Sequence, residues 1–214
     1  TNGVDDAFLW EQGNPLRRIS VSSSGVEAND ATESISMDAN GQYIAFSSRA
    51  TNMVAGDSNL KIDVFLHNTL NGQTLRVSRG MSGQQLDLDS SSPSVSADGR
   101  FVAYLVEPGG VGQAMYVYDR LLDSQVRLLP PANVSIVPDS LNFGRDQRYL
   151  SYVAALADEE IAYRFDRFSI APNFELARVG SDEYGALYIA EVRLASATQA
   201  VLETNQPLAA NDRN

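Results

Sequence analysis

The chain has 214 residues, 43% of them hydrophobic and 20% charged, a globular composition with length for one large domain or two small ones. Sixteen Lys and Arg stand against 27 Asp and Glu, a formal net charge of −11, so a phosphate backbone is repelled and nucleic acid is not expected as a partner. The absence of cysteine excludes a disulfide framework, a thiolate metal site and a cysteine nucleophile, and no apolar run approaches the roughly 20 residues that span a bilayer.

In chain order, two strands are expected near Ala7 to Glu11 and Leu16 to Val21, followed by Ser22 to Ser24 as an exposed connection. The block Ser34-Ile-Ser-Met-Asp-Ala-Asn-Gly-Gln-Tyr-Ile-Ala-Phe-Ser48 reads as a hairpin about Asn40-Gly41. A loop from Ala50 to Asp63 leads into Asp63-Val-Phe-Leu-His67, and Asn71-Gly72 turns the chain into Thr74 to Ser78. After Gly80-Met-Ser-Gly83, in a loop, Asp89 to Ser92 is expected as another exposed connection, and Ser94 to Tyr104 forms a hairpin about Asp98-Gly99. Ala114 to Tyr118, the segment at Arg127, Ser140 to Tyr152, Ile161 to Phe165 and the segment at Arg178 continue the series. Two inner strands near Tyr188 to Leu194 and Gln199 to Thr204 close it. The Asn-Gly and Asp-Gly pairs supply the positive φ of two-residue hairpins. No stretch shows clean helical periodicity, so helix is expected to be nearly absent.

These elements repeat. Phe8, Phe65, Tyr116 and Tyr163 are equivalent, at separations of 57, 51 and 47 residues. About ten residues after each comes a second marker: Arg18-Ile-Ser, Arg76-Val-Ser, Arg127-Leu-Leu and Arg178-Val-Gly. A repeat of roughly fifty residues matches a four-stranded antiparallel unit rather than a helical one. The runs Ala7 to Trp10, Val64 to His67, Tyr43 to Phe46 and Phe101 to Tyr104 are apolar on both alternating faces, so both faces are expected to be buried, as in sheets stacked face to face around an axis. The fold class read from the sequence is therefore all-β: a β-propeller of four-stranded antiparallel blades, four repeat units in this chain, with residues 1–214 as a single propeller domain or a propeller fragment.

Pro93-Ser-Val-Ser-Ala-Asp-Gly-Arg-Phe-Val-Ala-Tyr104, Asp63-Val-Phe-Leu66 and Thr74-Leu-Arg-Val-Ser78 together resemble the WD40-like PD40 repeat of TolB-type β-propellers. The resemblance covers nearly the whole chain and fades in the last two copies, where Asp146-Gln147 replaces Asp-Gly. It implies a propeller whose inner strand starts at the Pro-Ser-x-Ser element and a periplasmic or extracellular location in bacteria. It implies no single activity, since such propellers serve as partner-binding platforms, sugar binders and non-catalytic caps on hydrolases.

Two readings of the chain ends stay open. Two outer strands at the start and two inner strands at the end would together make one blade and close a four-bladed ring, which removes exposed edges. Alternatively, Thr1 in place of Met, and Asp212-Arg213-Asn214 matching Asp57-Ser58-Asn59, suggest a processed product or a piece of a longer array.

No catalytic, cofactor-binding or metal-binding residue is assigned. The only histidine, His67, aligns with Trp10, Tyr118 and Phe165, where the repeat wants an aromatic, so it reads as a packed residue rather than a triad base. Asp87, Asp89, Asp158, Glu159 and Glu160 read as solvated charges in polar connections rather than an acid/base pair. Asp57-x-Asn59-x-x-x-Asp63 carries calcium-type oxygen ligands, but lacks the twelve-residue EF-hand pattern and reads instead as turn-forming side chains. Arg18, Arg76, Arg127 and Arg178 are expected to face water on each blade's outermost strand rather than to form an anion-binding ring. The function expected is a non-catalytic scaffold or binding module for a protein or glycan partner. The alternative is the propeller portion of a larger peptidase or glycosidase. Flanking repeats, a leader peptide or an attached hydrolase domain in the untruncated reading frame would decide between them.

Overall fold

The structure is a computed structural model that describes residues 2–107, 113–131, 134–144, 147–156, 159–166, 173–180, 189–194 and 200–204, with the backbone alone for 156, 159 and the last three segments. It divides into two compact units, Thr1–Leu128 and Leu129–Asn214. Among the described residues there is no helix.

In the first unit, β1 (Phe8–Leu9) and β2 (Arg17–Arg18) form a two-stranded antiparallel sheet. A four-stranded meander follows, of β3 (Thr32–Met37), β4 (Tyr43–Ser48), β5 (Asp63–Asn68) and β6 (Thr74–Arg76), paired in chain order. A second has the same order: β7 (Asp89–Val95), β8 (Phe101–Glu107), β9 (Ala114–Asp119) and β10 (Ser124–Leu128). Phe65 pairs with Phe46 across the first meander and Tyr116 with Tyr104 across the second, so the markers read from sequence occupy one structural position.

The middle strands bury both faces, as their composition requires. Ile44, Phe46 and Phe65 pack with Ala7, Ile19 and Ala28 of the first sheet's segments. The alternate residues Ala45, Val64 and Leu66 pack with Val102, Tyr104 and Tyr118 of the next meander. The first strand departs from expectation: Ala7 is buried, but Phe8 is 44% and Trp10 69% exposed. Only one face of that two-stranded sheet packs on β4 and β5, and Phe8 instead carries the Arg18 guanidinium on its ring.

The second unit repeats the meander with a broken inner strand. The strands β11 (Ser135–Ile136) and β12 (Asn142–Phe143) both pair with β13 (Tyr149–Leu156), which pairs with β14 (Glu159–Asp166), and that with β15 (Asn173–Gly180). In the gap Ser140 Oγ accepts from Val153 N–H at 3.0 Å and donates to Val137 O at 2.7 Å, covering a backbone donor that the break would orphan. The same position is a register shift in β3, between Thr32 and Ile35, and in β7, between Ser91 and Ser94, where Ser92 has φ 53°. The strands β16 (Ile189–Leu194) and β17 (Ala200–Thr204) form a two-stranded sheet.

Three expectations are corrected. Asp89 to Ser92 is the start of inner strand β7, with Ser90 and Ser92 buried; serine is small and polar enough to satisfy backbone beside a bulge. Asp89 and Glu160 likewise lie in strands, and Asp89 accepts from Ile62 N–H at 2.9 Å. The hairpins are not two-residue turns. Asp38 and Tyr43, Ser96 and Phe101, and Asn68 and Gln73 each close a longer loop with one left-handed glycine, Gly41, Gly99 or Gly72. Where Gly is replaced, Gln147 takes the left-handed conformation (φ 60°) in the loop closed by Gly144 and Tyr149. Asp158 and the tail 205–214 lie outside the described residues, as does the side chain of Glu159.

Candidate functional site

The arginines of the repeat divide into two kinds. The Arg76 guanidinium lies 3.3 Å from both Asp57 and Asp63, with its side chain only 12% exposed. Ser78 Oγ donates to Asp63 at 2.5 Å and accepts from Val64 N–H at 3.0 Å. The same brace stands one repeat earlier: Ser20 Oγ donates to Asp6 at 2.6 Å and accepts from Ala7 N–H at 3.2 Å, and Arg18 pairs with Asp6 and Glu27. Arg18 and Arg76 therefore do not face water, against the sequence expectation, because a buried carboxylate across the hairpin draws them in. In the third copy Ala114 and Leu129 occupy the Asp and Ser positions, and Arg127 is exposed as expected. The side chain of Arg178 lies outside those described.

The brace also fills the loop that carries calcium-type oxygen ligands. Arg76 stands where a cation bridging Asp57 and Asp63 would sit, and Asn59 donates its side-chain amide to Leu86 O at 2.6 Å and to Asp63 at 3.3 Å. Burial raises the affinity of both carboxyls for a proton, partly offset at Asp63 by Ser78 and Arg76 and at Asp57 by Arg76 and Gln85. Among the described residues no group of three His, Asp or Glu converges as metal ligands.

His67 is buried on β5. Its Nδ1 lies 2.9 Å from Thr74 Oγ1, whose single hydrogen is donated to Val21 O at 2.6 Å. The hydroxyl can then only accept from the ring, which fixes the Nδ1–H tautomer. Burial and the Arg17 charge both hold its pKa below the ordinary value. Ser23 closes the junction, accepting from Thr74 N–H at 2.9 Å and donating to Thr74 O at 3.0 Å. The histidine thus orients the Thr74 hydroxyl, which with Ser23 ties the first sheet's segment to β6.

The polar cleft of the first unit lies between the two meanders and holds about 260 Å³. Tyr43 starts β4, Asn68 and Gln73 flank the β5–β6 turn, and Tyr118, Arg120 and Asp123 flank the β9–β10 turn; Leu66 and Leu75 form an apolar part of the lining. Each charged group is fixed. Arg120 donates Nε–H to Gly99 O at 3.0 Å and lies 4.1 Å over the Tyr43 ring. Asp123 accepts from Arg79 at 2.5 Å and from Tyr118 Oη at 2.9 Å, both on Oδ1. Those two bonds hold its carboxyl below the usual range, while burial and the Asp123 contact push Tyr118 up to about 12.

The origin of the cleft's cation is a single change between repeats. In the first meander Thr69 N–H donates to Gln42 O and its hydroxyl to Gly41 O at 2.9 Å. In the second, Arg120 N–H donates to Arg100 O and Nε–H to Gly99 O. Threonine ends at that bond, whereas arginine makes it and still extends its guanidinium over the neighbouring meander's Tyr43. Sequence reading missed this site, and the departure of Arg120 from Thr69 at one repeat position was the signal available.

No family model and no curated protein matches the chain. Solved structures do. The putative TolB from Agrobacterium tumefaciens aligns at 12% identity over 82% of this chain and 57% of its own, with a TM-score of 0.56. A structure from an analysis of two prolyl endopeptidases aligns at 12% identity over 94% of this chain and 29% of its own (TM-score 0.57). The dipeptidyl peptidase 4 of Porphyromonas gingivalis aligns at 13% identity over 83% and 29% (TM-score 0.51). At these identities the likeness is one of fold: an all-β, TolB-like β-propeller architecture of four-stranded antiparallel blades. The chain spans less than two thirds of each of these structures.

Proposed function

We propose that the chain is a non-catalytic β-propeller scaffold that binds a protein or glycan partner, in the bacterial envelope or outside the cell. The observation that carries this reading is the cleft between the two meanders, in which a stacked arginine, two amides and a paired carboxylate surround an apolar patch. Such a mixture of apolar lining and a few fixed polar groups is what binding sites present. His67, by contrast, is committed to Thr74 in a structural junction. The location is supported by the resemblance of the repeats to TolB-type propellers. Presenting the purified chain to immobilised peptide and glycan panels tests the reading: a partner retained by the intact chain and released by Gln73→Ala plus Arg120→Thr is expected. Turnover of panel members without such binding would overturn it.

A second reading, the propeller portion of a larger peptidase or glycosidase, has its support in the likeness to the prolyl endopeptidase and dipeptidyl peptidase 4 chains, each far longer than this one. An attached hydrolase domain in the full reading frame would favour it.

A further inference from the structure

We infer that the cleft between the two meanders captures an apolar residue bearing a free α-carboxylate, with Arg120 as the group that recognises the carboxylate. The inference rests on the binding-module reading and gives it a ligand class.

Charge accounting leads there. In a chain with net charge −11, Arg18, Arg76, Arg79, Arg100 and Arg148 each pair with a carboxylate. Arg120 is half-buried in the cleft and makes no ion pair among the described residues. The nearest acid in the lining, Asp123, is already neutralised by Arg79. Arg120 is also held rigid, since Nε is used on Gly99 O and the guanidinium plane is supported by Tyr43. Both Nη groups remain to meet a planar oxyanion as a fork, the geometry that arginine offers a carboxylate.

The remaining lining selects what carries that carboxylate. Asp123 Oδ1 takes both of its bonds, from Arg79 and Tyr118. Oδ2 stays available to accept an N–H of a residue whose carboxylate meets Arg120 in the same cleft. Gln73 offers an amide that matches a peptide unit, Asn68 being engaged with Leu70 N–H and Tyr43 Oη, and Leu75 beside the buried Leu66 offers an apolar wall for a side chain. A cation for the carboxylate, an acceptor for the N–H and an apolar wall are the three parts of an apolar α-amino-acid residue. A volume of about 260 Å³ is just under the usual range for drug-sized ligands and fits one such residue. The residue can be the C-terminus of a peptide or a free amino acid, and the experiment separates these sources.

Calorimetry with the intact chain uses three probes: an N-acetylated tripeptide ending in leucine as the free acid, the same tripeptide as the C-terminal amide, and free leucine. The acid is expected to bind at least about tenfold more tightly than the amide, the loss that follows when a charge-assisted hydrogen-bond pair is removed. Arg120→Thr should abolish that preference without unfolding the chain, because Thr69 shows that threonine makes the same turn bond. A circular-dichroism melt of the variant checks this. Free leucine binding as tightly as the tripeptide acid would assign the site to a free amino acid; tripeptide binding alone would assign it to a chain terminus. Equal binding of acid and amide, no binding of any probe, or acid preference that survives in Arg120→Thr would each overturn the inference. A partner found on the panels that ignores these probes would leave the binding-module reading standing and remove only this one.

Discussion

Removal of one hydroxyl, in Ser78→Ala, tests whether the brace between β5 and the segment after β6 holds the first meander together. Ser78 is fully buried. Its Oγ donates to the Asp63 carboxylate at 2.5 Å and accepts from Val64 N–H at 3.0 Å. Alanine leaves a buried backbone donor without a partner and takes from a buried carboxylate one of the bonds that offset its desolvation. An orphaned buried donor costs about 1–3 kcal/mol, and a bond to a charged group contributes about 1.5–3 kcal/mol. The two losses share one oxygen and relax together, so the expected destabilisation is about 3 kcal/mol rather than their sum. Equilibrium urea unfolding, followed by far-ultraviolet circular dichroism, should show a lower midpoint at unchanged slope. Ser20→Ala removes the corresponding hydroxyl on Asp6 and should behave alike. Ser82→Ala, in the exposed loop, should stay within about 0.5 kcal/mol of the parent. A Ser78→Ala loss no larger than that of Ser82→Ala would refute the brace.

Three further outcomes follow from the same geometry. His67 has its pKa lowered by burial and by Arg17, so its contribution is complete above the unfolded value of about 6.5 and is lost as the pH falls below it; the difference in urea midpoint between parent and His67→Gln should shrink between pH 8 and pH 5, and a constant difference would refute the assignment. Gly99→Ala places a Cβ 2.3 Å from the Tyr43 ring at φ +69°, whereas Gly72→Ala meets open space at φ +73°, so the second should cost about 1–2 kcal/mol and the first clearly more, with loss of ligand binding in the cleft. Arg76→Ala leaves Asp57 and Asp63 facing each other without their cation and should cost about 3–5 kcal/mol at neutral pH; both carboxyls already have raised pKa values, so folding takes up protons more readily above pH 3.8 and acidification into that window should recover part of the loss, seen as a smaller midpoint deficit at pH 5 than at pH 7.

The repeat was legible because it is written in residues whose role depends on local pattern. Phe46, Phe65, Tyr104 and Tyr116 sit on doubly apolar strands, and a strand can bury both faces only between sheets. Gly41, Gly72 and Gly99 marked the turns correctly, although the loops proved longer, since a glycine reports a positive φ and not the number of residues around it. Phe8 and Trp10 misled because their pattern matches that of Phe65 and His67 while their sheet has only two strands. The inward arginines were hidden for a different reason. Asp6 and Asp63 lie across a hairpin from Arg18 and Arg76, and a single residue type at an outer strand does not reveal its partner. The joint loss of Asp and Ser in the third copy, at Ala114 and Leu129, was the available sign that the three residues act together.

The cleft shows how a repeat acquires a site without changing its fold. The β5–β6 and β9–β10 turns solve one problem, that of satisfying the carbonyl of a left-handed glycine in the neighbouring hairpin, Gly41 in one meander and Gly99 in the other. A threonine hydroxyl suffices for it. Arginine satisfies the same carbonyl with Nε and has two further nitrogens that the turn does not need, carried across to the adjacent meander and braced on Tyr43. The stability of the turn and the recognition of a ligand thus fall on different atoms of one side chain, which is why Arg120→Thr separates them: the turn bond persists, and the guanidinium fork is lost.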